Sequence, residues 1–433
     1  MRWWVAVAVI EEVLREGARH ADEVEVYFVE GEMVSADFKR GMVAVAEASH
    51  ECGLGIRTIV GGRIGTSSTN DPSRWKECLT AALASGRLAT GQAWNGLPGP
   101  AVLDRTPLCY DPSLSPDARQ LQELLDGVLE GAGTHPATVT SASAVLSNAT
   151  TTLANTHGVE YTVPDSDIAL SCEAISGQST GYEGQSSAFL DIDPAAIGER
   201  ATFFAAHSVG GDDLATGTYD IILSETAFAE LLGTVFLPAL SGRSVHAGRS
   251  FLADKLGAAV GVPSLQIYDD PHRLHGPGST FWDDEGVPTS RLDFVRDGIL
   301  RSYAYDLRTA YRYKATSTGS AVRGGYGGNP SIGFHSLIIE GEVQSIEQER
   351  AVYVRDVVGA HTANPMSGDF SVEISNPCWM ENGEFGAPIR KAMLAGNVFS
   401  MLHEIAGVSG HVRTVGSMIV PSIRLNTQHL IGT

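Results

Sequence analysis

The hydrophobic positions change period several times along the chain, and each change marks an element. Residues 3–18 carry apolar side chains at helical spacing. Glu23-Val-Glu-Val-Tyr-Phe-Val-Glu30 then alternates with the period of two that predicts a strand. Residues 41–64 continue in short β-type runs, and Gly53, Gly55, Gly61 and Gly62 predict tight turns or bulges between them. Asp71-Pro72 offers an N-cap acid and a first-turn proline to a helix with Trp75, Leu79 and Leu83 on one face.

Residues 94–116 are rich in Pro and Gly and predict a connection rather than an element. Ser115-Pro116 reads as the cap of a helix that runs to residue 130. Residues 138–173 read as several strands, with turns at Ser147-Asn148 and His157-Gly158. Asp193-Pro194 opens a further helix to His207, and Gly210-Gly-Asp-Asp213 breaks the chain. A strand at 219–223 then leads into a helix capped by Ser224 and apolar nearly all round to Leu240, the pattern of a buried helix. Later strands are expected at 265–268, 294–305, 336–340, 352–357, 370–374 and 417–425, with a hairpin turn at Asn382-Gly383 and a helix over 390–405. The class is α+β: an N-terminal α/β part with antiparallel or mixed sheets, and a C-terminal α+β domain whose curved, barrel-like sheet surrounds the buried helix. The divisions are 1–93, a connection at 94–116, a central segment 117–213 packing with the N-terminal part, and 214–433.

Composition narrows the functions. Across 433 residues, 51 Asp and Glu oppose 30 Lys and Arg, a net charge of −21. Such a surface repels phosphate backbones and anionic lipid, which argues against nucleic-acid and membrane partners. The longest early apolar run, residues 3–10, follows a single Arg2 and ends in Glu11 and Glu12. It is far short of the roughly 18 residues a bilayer needs, and no small-x-small cleavage site follows, so a cytoplasmic protein is expected. Five scattered cysteines show no paired spacing and read as buried thiols.

Several motifs carry possible chemistry. Gly177-Gln-Ser-Thr-Gly181 fits a nucleophile-elbow expression, but no helical pattern follows Ser179. His272 and His275 stand three apart beside Asp269 and Asp270, on a segment that Pro271 and Gly276-Pro277 keep from being helical. His403-Glu404 begins like a zinc motif, but position 407 is glycine. Asp283-Asp-Glu-Gly286 is an acidic turn, and Gly324-Gly-Tyr-Gly-Gly-Asn329 is a glycine loop lacking a P-loop Lys and a following helix. Glycine there suits a close backbone approach or loop movement.

Taken in order, the segments Gly53 to Asp71, Leu240-Ser-Gly242, Gly248-Arg-Ser-Phe-Leu252, Asp269-Asp-Pro271, Asp283-Asp-Glu-Gly-Val-Pro288, Ser317-Thr-Gly-Ser-Ala-Val-Arg323, Ser367-Gly-Asp-Phe-Ser371 and Glu381-Asn-Gly-Glu384 resemble the TldD/PmbA family, also called the modulator of DNA gyrase family. One branch of that family carries an HExxxH zinc-peptidase helix. The matching positions here are Gly233, Thr234 and Pro238, and residues 416–421 lack the cysteine of its C-terminal ligand segment. The chain is therefore similar to the metal-free PmbA/TldE branch.

That resemblance implies a heterodimer with a TldD-like metallopeptidase subunit, which would hold the zinc, around a cavity that admits unfolded or extended peptides. It implies no metal and no catalytic residue in this chain. Asp269, Asp270, Asp284, Glu285, Ser317, Arg323 and Asp369 fall in matching motifs and are expected at the cavity or its supporting turns. Two alternatives are a self-sufficient hydrolase with its site between Asp269 and His275, and a homodimeric peptide-binding scaffold without catalysis. A direct DNA-binding role is disfavoured by the charge.

Overall fold

The computed structural model describes residues 3–104 and 106–432; Arg2, which precedes the first apolar run, lies outside them. Strands β1 (Glu23–Lys39), β2 (Met42–Val60), β3 (Arg63–Thr69), β4 (Thr138–Asn155), β5 (Glu160–Ser176) and β6 (Ser179–Ser187) form one sheet. Its order is β3-β2-β1-β4-β5-β6 and every pair is antiparallel. The even positions of β1 make its apolar face. Val24, Val26 and Phe28 pack with Ile10 and Val13 of helix α1 (Trp3–Gly17) and with Trp75, Leu79 and Ala82 of α2 (Trp75–Leu88). Farther along, Val34 and Ala36 meet Leu121, Leu125 and Val128 of α3 (Ala118–Gly131) and Ile197 and Ala201 of α4 (Pro194–His207).

The odd positions Glu23, Glu25, Tyr27 and Val29 look like a solvent face, yet all four are buried. The connection covers Glu23, which accepts from Trp94 Nε1 and the Leu97 N–H, and the second half covers its neighbours: Tyr27 and Val29 share an apolar cluster with Trp282. That half is built on a 13-stranded mixed sheet entered through β7 (Gly217–Leu223). Ser224 caps the apolar helix as expected, accepting from the Ala227 N–H at 3.1 Å while donating to the Arg355 carbonyl. The helix runs as α5 (Glu225–Leu231), a π turn (Leu232–Phe236) and α6 (Leu237–Leu240). The widened turn falls just before Pro238, which has no N–H to give the turn before it. Phe228, Leu231, Leu232, Val235, Phe236 and Leu240 are all buried in the core. The class is α+β, with the first sheet curled into a half-barrel.

Several local expectations need correction. Ser147-Asn148 is no turn: β4 runs through it, and the Asn148 amide donates to the Leu114 carbonyl at 3.0 Å, tethering the incoming connection. Gly53 and Gly55 are likewise mid-strand in β2, while Gly61 and Gly62 do turn, at φ 55° and 72°. Helix α3 is capped by Asp117 rather than Ser115, its carboxylate accepting from Arg119 and Gln120 N–H at 2.9 Å each. The expected strand over 294–305 is a short hairpin, Leu292–Arg296 and Ile299–Leu300, turning at Asp297-Gly298 with positive φ. The strand expected over 352–357 is broken into Ala351–Val354 and Asp356–Val358. The helix expected over 390–405 is mostly a strand, Ala392–Asn397, followed by the single turn Val398–Met401 capped by Asn397. The Asn382-Gly383 hairpin forms as read, with φ of 55° and 78°.

Candidate functional site

A cavity of about 660 Å³ opens between the buried odd face of the first sheet and loops of the second half. Its lining includes Tyr27, Tyr161, Asp165, Asp167, His275, Trp282, Asp284, Arg323 and His335. The Asp283–Val287 turn forms its base. Asp283 is fully buried and its carboxylate accepts three backbone N–H groups: Glu285 and Val287 at 2.9 Å, Ala321 at 3.1 Å. Gly286 completes the turn at φ 79°, a conformation that suits glycine. With its backbone pinned on both sides, the turn aims Asp284 into the cavity and Glu285 away from it. Burial raises the Asp283 carboxyl well above the ordinary range, and neighbouring Glu285 adds to this.

Asp284 accepts the Tyr27 hydroxyl at 3.0 Å and the Arg323 N–H at 2.7 Å. Burial raises its carboxyl against the pull of Arg323. Arg323 donates Nε to the Asp284 carbonyl at 2.9 Å, pairs with Glu25, and lies 4.6 Å over the Tyr27 ring. Glu285 turns into the domain junction, where Arg57 donates to it at 2.5 Å and the Leu307 N–H at 2.7 Å. Arg57 also pairs with its cross-strand neighbour Glu25 at 2.6 Å. The result is a buried chain, Glu285–Arg57–Glu25–Arg323, running from the acidic turn through two sheet strands back to the cavity wall.

Burial works against the Arg57 charge, but Glu25 and Glu285 outweigh it and raise its pKa. A second junction network centres on Glu183 of β6, which meets Arg355 at 2.6 Å, Arg413, and Arg200 at 3.7 Å. Burial alone would raise Glu183, yet Arg355 and Arg413 hold it below the ordinary glutamate range.

The remaining expected residues take separate places. Asp269 is buried beneath the cavity and accepts the His335 and Ser336 N–H groups, the latter at 2.7 Å, which fixes His335 on the wall. Burial raises its carboxyl, with His335 opposing. Asp270 caps its own turn through the His272 N–H at 3.2 Å. Ser317 bonds the Tyr305 carbonyl at 3.2 Å, outside the cavity lining. Asp369 is exposed elsewhere, where Asn397 at 2.8 Å and Ser367 at 2.7 Å lower its carboxyl pKa. Thus Asp284 and Arg323 reach the cavity, Asp269 and Glu285 support it, and Asp270, Ser317 and Asp369 do not line it.

Residues not singled out by sequence make up the rest. Tyr161 and Trp282 stack at 5.0 Å with 11° between their planes, and the Tyr161 hydroxyl donates to the Asp283 carbonyl at 2.8 Å. Asp165 is pushed up to about 6 by burial, then by Asp167 and Asp284. The glycine loop contributes through Tyr326, whose ring packs on Gly53 and whose carbonyl meets Gly55; a Cβ at either glycine would collide with it. Alternation puts Tyr27 and Glu25 on what reads as a solvent face, and nothing local marks Asp165 or Trp282.

Gly233, Thr234 and Pro238 offer no imidazole, carboxylate or thiolate, and zinc needs about three protein ligands with an open position. Among the described residues, no three or more His, Cys, Asp or Glu side chains assemble as a metal site. His272 goes to Thr289 at 3.1 Å while His275 stacks on Phe189 at 4.0 Å, so the two imidazoles diverge. Ser179 starts a strand and donates to the Ser208 carbonyl at 2.9 Å, which excludes an elbow geometry.

Comparison with known proteins decides the family. Models of the PmbA/TldA metallopeptidase domain 1, central domain and C-terminal domain match residues 24–86, 111–209 and 216–432. The chain belongs to the PmbA/TldD family. It is 29% identical over 415 residues to an uncharacterised protein of Methanocaldococcus jannaschii, covering 96% of this chain and 98% of that one. A metalloprotease PmbA homolog of Haemophilus influenzae is 26% identical over 429 residues, covering 95% and 92%. Among solved structures, TldE from Thermococcus kodakarensis superposes with a TM-score of 0.89 at 25% identity, over 98% of this chain and all of that one. A putative modulator of a DNA gyrase from Thermotoga maritima gives a TM-score of 0.87 at 24% identity, over 97% and 99%.

Proposed function

We propose that this PmbA/TldD protein is the metal-free, TldE-like subunit of a two-subunit zinc peptidase acting on unfolded or precursor peptides in the cytoplasm. It shapes the substrate cavity and stabilises its partner, while a TldD-like subunit holds the zinc and performs hydrolysis. The observation that carries this reading is the apolar helix. Its ligand positions are Gly233, Thr234 and Pro238, and a Cβ on Gly233 would sit 3.6 Å from Met418, beside Ser417 on the cavity lining. None of the three side chains can serve as a zinc ligand, which supports the reading of this chain as the metal-free subunit. The similarity to TldE supports the same branch. No helix among the described residues is long and apolar enough to cross a membrane.

Co-expression with a TldD-like protein from the same source tests the partnership. A stable complex of the two, with a higher melting temperature for the partner than it shows alone, is the expected result. Two proteins that elute separately and melt unchanged would refute it.

A further inference from the structure

In a chain of net charge −21, exposed cations readily find a carboxylate: Arg19 stands by Glu16, Arg74 by Glu77, Arg119 by Glu123, Arg291 by Asp293 and Lys391 by Glu373. One surface departs from this. Residues 241–256 and 301–316 hold seven Lys and Arg against two acids, a local charge of +5. One of those acids, Asp306, is buried and caps a helix, its carboxylate accepting the Thr309 N–H at 2.8 Å. Arg243, Arg249, Arg308, Arg312 and Lys314 are exposed, and none of them forms an ion pair among the described residues.

Two short helices bring these residues together. Arg243 and His246 lie three apart on α7 (Gly242–His246), and Arg308 and Arg312 lie four apart on α8 (Leu307–Tyr313), so each pair shares a helix face. The helices join through His246. Its ring stacks on Tyr313 at 4.1 Å with 12° between the planes, and its Nε2 lies 3.2 Å from the Tyr305 hydroxyl. The Arg312 guanidinium stands 5.5 Å from the same Tyr313 ring. Like charges at helical spacing repel one another, and neither helix supplies a carboxylate to relieve them. An anion laid across the pair of helices would.

Guanidinium groups take carboxylates and phosphates alike in paired hydrogen bonds. The surroundings choose between them. The rest of the chain carries −26, so a long phosphate backbone crossing the patch would run on into repulsion, whereas a short acidic segment ends where the patch does. Helix α8 is seven residues, about 10 Å long, which matches about three residues of an extended chain.

We propose that α7 and α8 form a docking surface for a short acidic segment of a partner protein, with Arg243, Arg308 and Arg312 taking its carboxylates. The inference stands on charge and placement and does not depend on the peptidase reading.

The test uses the full chain and three fluorescently labelled probes, read by anisotropy: an octapeptide of alternating Glu and Ala, its Gln counterpart, and a thymidine pentanucleotide of equal charge. In low salt the Glu peptide is expected to bind on the order of tenfold tighter than the Gln peptide, an advantage that shrinks at high salt as screening sets in. The triple variant Arg243→Gln, Arg308→Gln, Arg312→Gln should reduce it to about twofold or less, while Arg291→Gln, which breaks an exposed ion pair with Asp293, should leave it in place. The triple variant should melt no lower than the parent, because it removes like charges. Equal binding of the two peptides, or an advantage that survives the triple variant, would overturn the proposal. A triple variant that melts well below the parent would assign the arginines to packing and overturn it likewise. Pentanucleotide binding as tight as that of the Glu peptide would overturn it in favour of a phosphate ligand.

Discussion

Arg57 and Glu285, 228 positions apart in sequence, meet at 2.5 Å in the buried junction between the first sheet and the cavity's acidic turn. Both side chains are essentially excluded from solvent. An ion pair so placed contributes less than its geometry suggests, since desolvation offsets the attraction, but removing one partner strands the other charge. Arg57→Met leaves Glu25 and Glu285 facing each other, and should cost roughly 3–5 kcal/mol in denaturant unfolding. Glu285→Gln keeps the shape and the Leu307 contact and should cost less, about 1–3 kcal/mol. Equal and negligible losses would show that the junction is not held this way.

The glycine loop makes a steric prediction. Gly55 gives its space to the Tyr326 backbone carbonyl, whereas Gly53 gives its space to the Tyr326 ring, a side chain that can rotate away. Gly55→Ala should therefore destabilise by about 1–3 kcal/mol, with Gly53→Ala milder. Thermal melts of both variants check the order, and a reversed order would contradict it.

The partly buried Glu230 and the buried Glu183 titrate in opposite senses. Glu230 is pushed up to about 7 by burial and by the charge and hydrogen bond of Asp356. A raised carboxyl stabilises the fold at low pH and loses that contribution as pH climbs through the raised value. Glu230→Gln should therefore raise the melting temperature above about pH 8 and do little near pH 5.

Glu183 runs the other way. Its pKa is lowered, so its contribution is present above the ordinary glutamate value and is lost as pH falls through the lowered one. Glu183→Gln leaves Arg355 and Arg413 short of a counter-charge and should cost roughly 2–4 kcal/mol near neutrality, with the difference fading below about pH 4. A difference that persisted unchanged in acid would argue against the ion network.

Helix caps and strong periodicity were legible in the sequence: Asp193 caps α4, Ser224 caps the apolar helix, and Asn382-Gly383 turns a hairpin. Elements whose residues serve a distant partner were not. Asn148 looks like a turn residue, but its amide is engaged by the Leu114 carbonyl within a continuous strand. Gly53 and Gly55 look like breaks, but they make room for Tyr326. Residues 392–398 are too evenly apolar for a period to separate strand from helix. Glu25 and Arg57 occupy polar positions of an alternating strand and look solvated; only the second half, folded over them, makes them interior. The same limit hid Asp165 and Trp282, which acquire meaning when β5 and the 275–284 loop face each other across the cavity. Acid-rich motifs did lead to Asp284 and Glu285, although they could not tell the cavity residue from the one that turns into the junction.

The most direct test of the central claim is zinc content and hydrolysis of an unfolded substrate, measured on the isolated chain and on its complex with a TldD-like partner. A metal-free, inactive single chain is expected, and a complex that holds one zinc per pair and cleaves. Stoichiometric zinc or cleavage by the isolated chain would contradict it.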